Sequence, residues 1–229
     1  MNNNKRIFID NFIKSDIFLK MPLSQIRKNY PDLPKLYEFK LLIDGLIRSN
    51  CNIPIEKLNN KYNFIIPNSS LSEKRGNEIY HPPYGWIGIG LNISIIYGNE
   101  DWIKLNDEKS EWVIAYYGFG KKLTSNEIMQ KLYDIIINNN LDKNDNIQSK
   151  CHCKDRRHST KVGTGIYMSN YIDIAEQFSG IIYFNNKKYK IALMARVLEK
   201  KIKEPEDKSY WILNNKDIRF YRILLKEIN

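Results

Sequence analysis

An α+β fold is the expectation for this chain, and three observations lead to it. Helical spacing dominates the N-terminal third. A well-marked helix separates the first strand-type segments of the remainder. Toward the C-terminus, strand-type segments run together without helices between them. Strands broken by helices early and run together late indicate segregated elements rather than a regular alternation. The 229 residues suffice for one sizeable core, or for one core with a small appendage. With 42% hydrophobic and 27% charged residues, the composition is that of a folded chain.

Residues 1–75 read as a mostly helical segment ending in a linker, and residues 76–229 as the strand-rich domain. Asp32 is a cap-type residue ahead of Pro34 in a first helical turn. Leu36, Phe39, Ile43, Leu46 and Ile47 then recur on one helical face. The asparagine- and serine-rich stretch from Pro67 to Gly76 reads as the linker. Glu111–Tyr117 is a strand rich in aromatic and β-branched residues, stopped by Gly118. Thr124 and Glu127 have the spacing of a capping box, with Leu123 and Ile128 as its hydrophobic staple. Ile128, Leu132, Ile135 and Ile136 supply the buried stripe of the helix that follows. Gly165–Ser169 reads as the next strand, and Asn170 as the cap of a short helix carrying Ile174, Ala175 and Phe178. Three more strands follow at Lys188–Leu198, Tyr210–Leu213 and Ile218–Leu225, the last suited to a central position.

The formal charge of +10 invites a nucleic-acid or acidic partner, but the lysines are scattered along the chain. Their densest cluster is Lys154, Arg156, Arg157, His158 and Lys161. Three cysteines do not make a disulfide framework. Cys151, His152, Cys153 and His158 offer four possible zinc ligands, but one short loop rarely surrounds the ion, so no metal is expected. No apolar run reaches bilayer length and no secretory leader is evident, so an intracellular protein, cytoplasmic or nuclear, is expected. Gly85–Gly90 has the wrong spacing for a dinucleotide fingerprint, and Leu91–Tyr97 reads as a strand where that motif requires a helix. Gly118-Phe-Gly-Lys-Lys122 lacks the leading glycine and hydroxyl residue of a P-loop. With three histidines, no hydrolase triad stands out.

The order of elements carries more than any of these motifs. A strand ending in Tyr-Tyr-Gly118 leads to a capped helix, then to Gly-Thr-Gly-Ile-Tyr167, a short helix and late strands ending in Arg-Ile-Leu-Leu-Lys226. Over residues 80–226 this order resembles the catalytic domain of the diphtheria-toxin-like ADP-ribosyltransferases, the group that includes the poly(ADP-ribose) polymerases. The resemblance implies a split β-sheet with flanking helices, preceded here by the small helical segment, and a cleft that holds NAD as substrate.

By that resemblance, Tyr117 stands where the family has a ribose-contacting histidine, and Gly118 where a glycine backbone bonds the nicotinamide amide. Tyr167 matches the tyrosine that stacks on nicotinamide, and Phe178 the second aromatic closing the sandwich. Ser169, on the same strand as Tyr167, is grouped with them as cofactor-binding. Tyr210 lies at the position of the family's late glutamate, so Tyr117, Tyr167 and Tyr210 form the implied catalytic set. A cationic ring gains from an aromatic face on each side, and glycine admits a ligand amide close to the backbone. Loss of the glutamate removes polymer elongation and leaves mono-ADP-ribosyl transfer to a protein or nucleic-acid acceptor as the implied activity. The alternative is an inactive binding module of the same fold, with Lys154, Arg156 and Arg157 facing nucleic acid or an acidic protein.

Overall fold

The structure is a computed structural model, and it describes residues 3–48, 53–65, 73–103, 111–138, 141, 151–159, 161–184, 186–206 and 210–228. The N-terminal helices are α1 (Asn3–Ile13), α2 (Asp16–Lys20), α3 (Leu23–Asn29) and α4 (Pro34–Arg48). There follow β1 (Phe64–Ile65), β2 (Glu73–Arg75), β3 (Glu78–Tyr80), β4 (Ile87–Gly90), α5 (Ile93–Tyr97), β5 (Val113–Gly118) and α6 (Ser125–Asn138). Next are β6 (Cys151–Lys154), β7 (Lys161–Gly163), β8 (Ile166–Met168), α7 (Ile172–Glu176) and β9 (Ile181–Phe184). The chain closes with β10 (Lys187–Val197), β11 (Trp211–Leu213) and β12 (Ile218–Ile228). This is the α+β architecture that the spacing predicts.

The main sheet is antiparallel in the order β1-β4-β12-β10-β5, with β9 pairing the free part of β10. β12 lies between β4 and β10, the central position expected of it. Side chains alternate across a strand, so each sheet face collects every second residue. One face, with Val113, Ala115, Tyr117, Leu193, Phe220 and Ile223, packs on the N-terminal helices and on α6. The other, with Ile114, Tyr116, Met194 and Leu224, is covered by Trp86, Trp102, Ile172 and Ala175.

The expected stripes and caps hold with adjustments. Leu36, Phe39, Ile43 and Leu46 are buried on α4, while Ile47 is half-buried and Leu42 replaces it in the core. The capping box forms: Glu127 accepts from the Thr124 N–H at 2.7 Å, and the Glu127 N–H approaches Thr124 Oγ1 at 3.4 Å. Leu91–Tyr97 corrects the strand expectation. Ile93–Tyr97 is a single helical turn capped by the Asn92 side chain and ended by Gly98 in the left-handed region.

The division at residue 75 is also corrected, because both parts share one core. Ile9, Ile13, Phe18, Ile26 and Phe39 pack in the same cluster as Leu193 and Phe220, and β1 extends the main sheet. Asn63 fastens the two: its side chain donates to the Ile13 carbonyl at 2.9 Å and accepts from the Gly90 N–H at 2.8 Å. Both partners are buried backbone groups that would otherwise lack a bond. Of the expected linker, residues 67–72 lie outside the described residues.

Candidate functional site

The site is built where the β8–β11 ribbon packs beside the end of β5. β8 pairs with β11, and among the described residues one isolated bridge, between Tyr116 and Ser169, joins the backbones of this ribbon and β5. The Tyr116 N–H donates to the Ser169 carbonyl at 2.7 Å, and the Ser169 N–H returns to Tyr116 at 3.1 Å. Backbone polar groups point to alternate sides of a strand. Tyr117 therefore bonds toward β10, and Gly118 turns its N–H and C=O toward β8. The residue opposite Gly118 in that register is Tyr167. Among the described residues no ladder pair joins β5 and β8 at Gly118.

α7 packs on the end of β5 from the side of Tyr116. Gly118 is a glycine because a Cβ at that position would collide with the Ala175 carbonyl oxygen and lie 3.2 Å from Phe178 Cβ. Beyond α7 the chain turns back along the end of β5, with the Lys121 N–H on the Phe178 carbonyl at 3.2 Å and the Gly180 N–H on the Phe119 carbonyl at 2.7 Å. Phe178 is thereby held at the rim. Its ring lies 6.2 Å from that of Tyr210 at 68°, and the Tyr167 ring lies 6.0 Å from Tyr210 at 73°. These edge-on contacts join three half-buried rings into one cluster.

A closed circuit fixes the start of α7. Ser169 Oγ accepts from the Tyr171 N–H at 3.0 Å, and the Tyr171 ring stacks on His81 with centroids 4.2 Å apart. The His81 carbonyl accepts from the Tyr116 hydroxyl at 2.6 Å, and Tyr116 returns to Ser169 through the bridge. Burial holds the His81 imidazole below its ordinary pKa, partly offset by Glu78. Burial of Tyr116 pushes its hydroxyl well above the usual range, so it stays a donor.

The end of α7 is fixed by charge. Glu176 pairs with Lys190 at 3.0 Å and Lys226 at 2.8 Å, and the Lys226 ammonium lies 5.8 Å from the Trp86 ring centre. Burial raises the Glu176 carboxyl pKa, but the bonds from Lys226 and Lys190 outweigh it and hold the group below its ordinary 4.5. The ion pairs therefore stabilise fully above that ordinary value and are lost as pH falls through the lower folded one. Glu176→Gln is expected to lose on the order of 1–2 kcal/mol at pH 7 and to flatten the acid side of the stability profile. Urea titrations at pH 7 and pH 3 check this, and an unchanged acid limb would count against it.

Four of the residues expected at the site thus come together: Gly118, Tyr167, Phe178 and Tyr210. Tyr117 does not. It is 1% exposed, with its ring 5.8 Å from both Phe119 and Phe220 on the opposite face of the sheet. The histidine-like role is corrected on the simple ground of strand alternation: if Gly118 faces α7, its predecessor faces the core. Ser169 is also corrected, because it is 1% exposed and its hydroxyl serves the Tyr171 N–H. The residue at the N-cap of α7 is Tyr171 and not the expected Asn170, and no side-chain hydrogen bond caps the helix there.

Within the basic loop, the two arginines bond to other parts of the fold. The Arg156 guanidinium donates to the Glu206 carbonyl, and Arg157 binds Glu204 and Glu78 at 3.0 and 2.9 Å while covering the Trp211 ring. Lys154 is exposed. The side chains of Cys151, His152 and Cys153 lie outside the described residues. Among the described ones no cluster of three metal-ligand types occurs, and no helix is long and apolar enough to cross a membrane.

Sequence reasoning missed His81 and Tyr171, whose pairing spans ninety positions, and Glu176, whose lysines lie on two other strands. Only Tyr171 and Glu176 left a local signal, as polar or aromatic residues flanking the apolar positions of a short helix. Comparison with models of known protein families gave no match, and comparison with curated proteins gave no significant one.

Proposed function

We propose that this chain is an ADP-ribosyltransferase-type domain that binds NAD in the opening between β5 and β8. It would transfer a single ADP-ribosyl group to a protein or nucleic-acid acceptor. The observation that supports this reading is that β5–β8 pairing ends at the Tyr116–Ser169 bridge, so that the Gly118 backbone, opposite Tyr167 in register, has no ladder partner on that side among the described residues. A nicotinamide carboxamide needs one acceptor and one donor, and a strand residue with an unused ladder edge offers both. Tyr167 and Phe178 supply the aromatic faces for a flat cation, with Tyr210 turned edge-on to each.

In the transfer, the bond between ribose C1′ and the nicotinamide nitrogen breaks and its electron pair stays on the departing ring. The acceptor nucleophile then bonds to C1′ and loses its proton. Positive charge moves from the ring to the ribose, so a carboxylate near the ribose would favour the transition state. By the resemblance Tyr210 falls at that position, and it offers only a hydroxyl. The absence of a preorganised charge of this kind costs about 3 kcal/mol, or on the order of a hundredfold in rate. Slow single transfer is the consequence. The second reading, NAD binding without turnover, gains from Tyr117, whose ring is buried away from the opening.

Calorimetric titration with NAD, paired with chromatographic detection of released nicotinamide, separates the two. Tyr167→Ala is expected to weaken NAD binding at least tenfold, while Tyr117→Phe leaves it unchanged. Binding without nicotinamide release selects the second reading. Failure of the wild-type chain to bind NAD at millimolar concentration would sink both.

A further inference from the structure

Beyond α7 the same face of the main sheet is open. Residues paired across an antiparallel ladder share a side, and the register of β9, β10 and β12 lays out two rows there. One is Ile181, Lys190 and Lys226; the other is Tyr183, Lys188 and Ile228. Tyr183 is 57% exposed and Ile181 38%, on a strand whose alternate residue Ile182 is fully buried. The tyrosine is therefore presented outward by an anchored strand. Lys188 is exposed and makes no ion pair among the described residues, and Glu176 is shared between Lys190 and Lys226. Three ammonium groups against one carboxylate leave this face cationic. Exposed Lys121, bonded through its backbone to Phe178, adds a fourth near the start of β9.

We propose that this face binds single-stranded nucleic acid, with a base stacked on Tyr183 and phosphates held by Lys188, Lys190 and Lys226. An exposed tyrosine on a strand can accept the face of any base, and lysines in the neighbouring strands track the backbone. The strands are about 4.8 Å apart and the rows about 6.8 Å apart, so ring and ammonium groups can engage neighbouring nucleotides. A duplex keeps its bases stacked inside and offers Tyr183 none. An acidic peptide would meet the lysines but has no use for the ring. The surface stands apart from the NAD site and does not need that reading.

Fluorescence anisotropy of the full chain with a labelled oligouridine, without NAD, tests this. The single strand is expected to bind more tightly than a duplex of equal length. Its affinity should fall with salt at a logarithmic slope near −2 for about three engaged phosphates. Tyr183→Ala should weaken binding roughly tenfold with little change in slope. Lys188→Glu should weaken it and make the slope shallower. Both positions are exposed, and unchanged melting temperatures confirm that the fold survives. Tyr167→Ala and Lys154→Glu should leave oligonucleotide binding as in the wild type, so failure at the NAD site is read separately. No binding, equal binding of duplex, or indifference to Tyr183→Ala would overturn the proposal. Displacement by poly-glutamate from wild type and Tyr183→Ala alike would show a purely ionic surface and overturn it equally.

Discussion

Glu111→Ala is expected to destabilise the fold by about 3–5 kcal/mol, lowering the melting temperature by roughly 10 °C in a chain of this length. Glu111 and Arg196 pair at 2.8 Å with side chains 0% and 2% exposed. Arg196 also donates to the Trp112 carbonyl at 2.6 Å, and the second Glu111 oxygen accepts from the Gly76 N–H at 3.1 Å. The carboxylate therefore joins the entry of β5, the middle of the sheet and the turn between β2 and β3. Its removal leaves a buried guanidinium without a counter-charge, and Arg196 Nε already lacks a partner. Removing both charges is a different experiment. The double variant Glu111→Leu, Arg196→Met should recover most of the loss, because the desolvation of two ions disappears with them. Thermal unfolding of the three proteins decides the matter. A single variant as stable as the wild type would show that water already reaches the pair.

The parts of this fold that could be read from the sequence are those set by neighbours along the chain. The capping box at Thr124, the stripe on α4 and the β-branched run of β12 each depend on spacing of a few residues. What the sequence hid depends on alternation and on distant partners. Reading Tyr117 and Gly118 as joint ligand contacts overlooked that adjacent strand residues point to opposite faces. That rule alone assigns Tyr117 to the core once Gly118 is placed. Leu91–Tyr97 has β-type residues, yet the Asn92 cap and Gly98 stop closed a helical turn against the sheet, so tertiary packing overrode propensity. The ion pairs of Arg157 were not legible because Glu204 and Glu78 are far from it in sequence. Tyr183 and Lys188 carried no motif at all. They become a surface only through the β9–β10 register. At the candidate site, Gly118, Tyr167, Phe178 and Tyr210 were found together because each lies beside a glycine, a strand end or a short helix whose order was legible.

Gly118→Ala should produce two effects from one atom. An added Cβ meets the Ala175 carbonyl oxygen and crowds Phe178 Cβ. Overpacking of this kind costs roughly 1–3 kcal/mol, and the only relief is displacement of α7. That helix cannot yield freely, since Ser169 and the His81–Tyr171 stack hold its start and the two lysines hold Glu176. The strain should therefore reach Phe178 and the opening beside it, so NAD binding is expected to fall at least tenfold together with the melting temperature. The obstacle is a carbonyl oxygen and not a side chain, so shortening Ala175 to glycine offers no room. The double variant Gly118→Ala, Ala175→Gly should be no more stable than Gly118→Ala alone, and less so by about 1 kcal/mol for the helix glycine. Rescue by that second change would mean that the Ala175 methyl, not its backbone, sets the fit of α7 on β5. If Gly118→Ala instead lowers stability while leaving NAD affinity intact, the glycine serves helix packing alone and the ligand must be sought away from the β5–β8 gap.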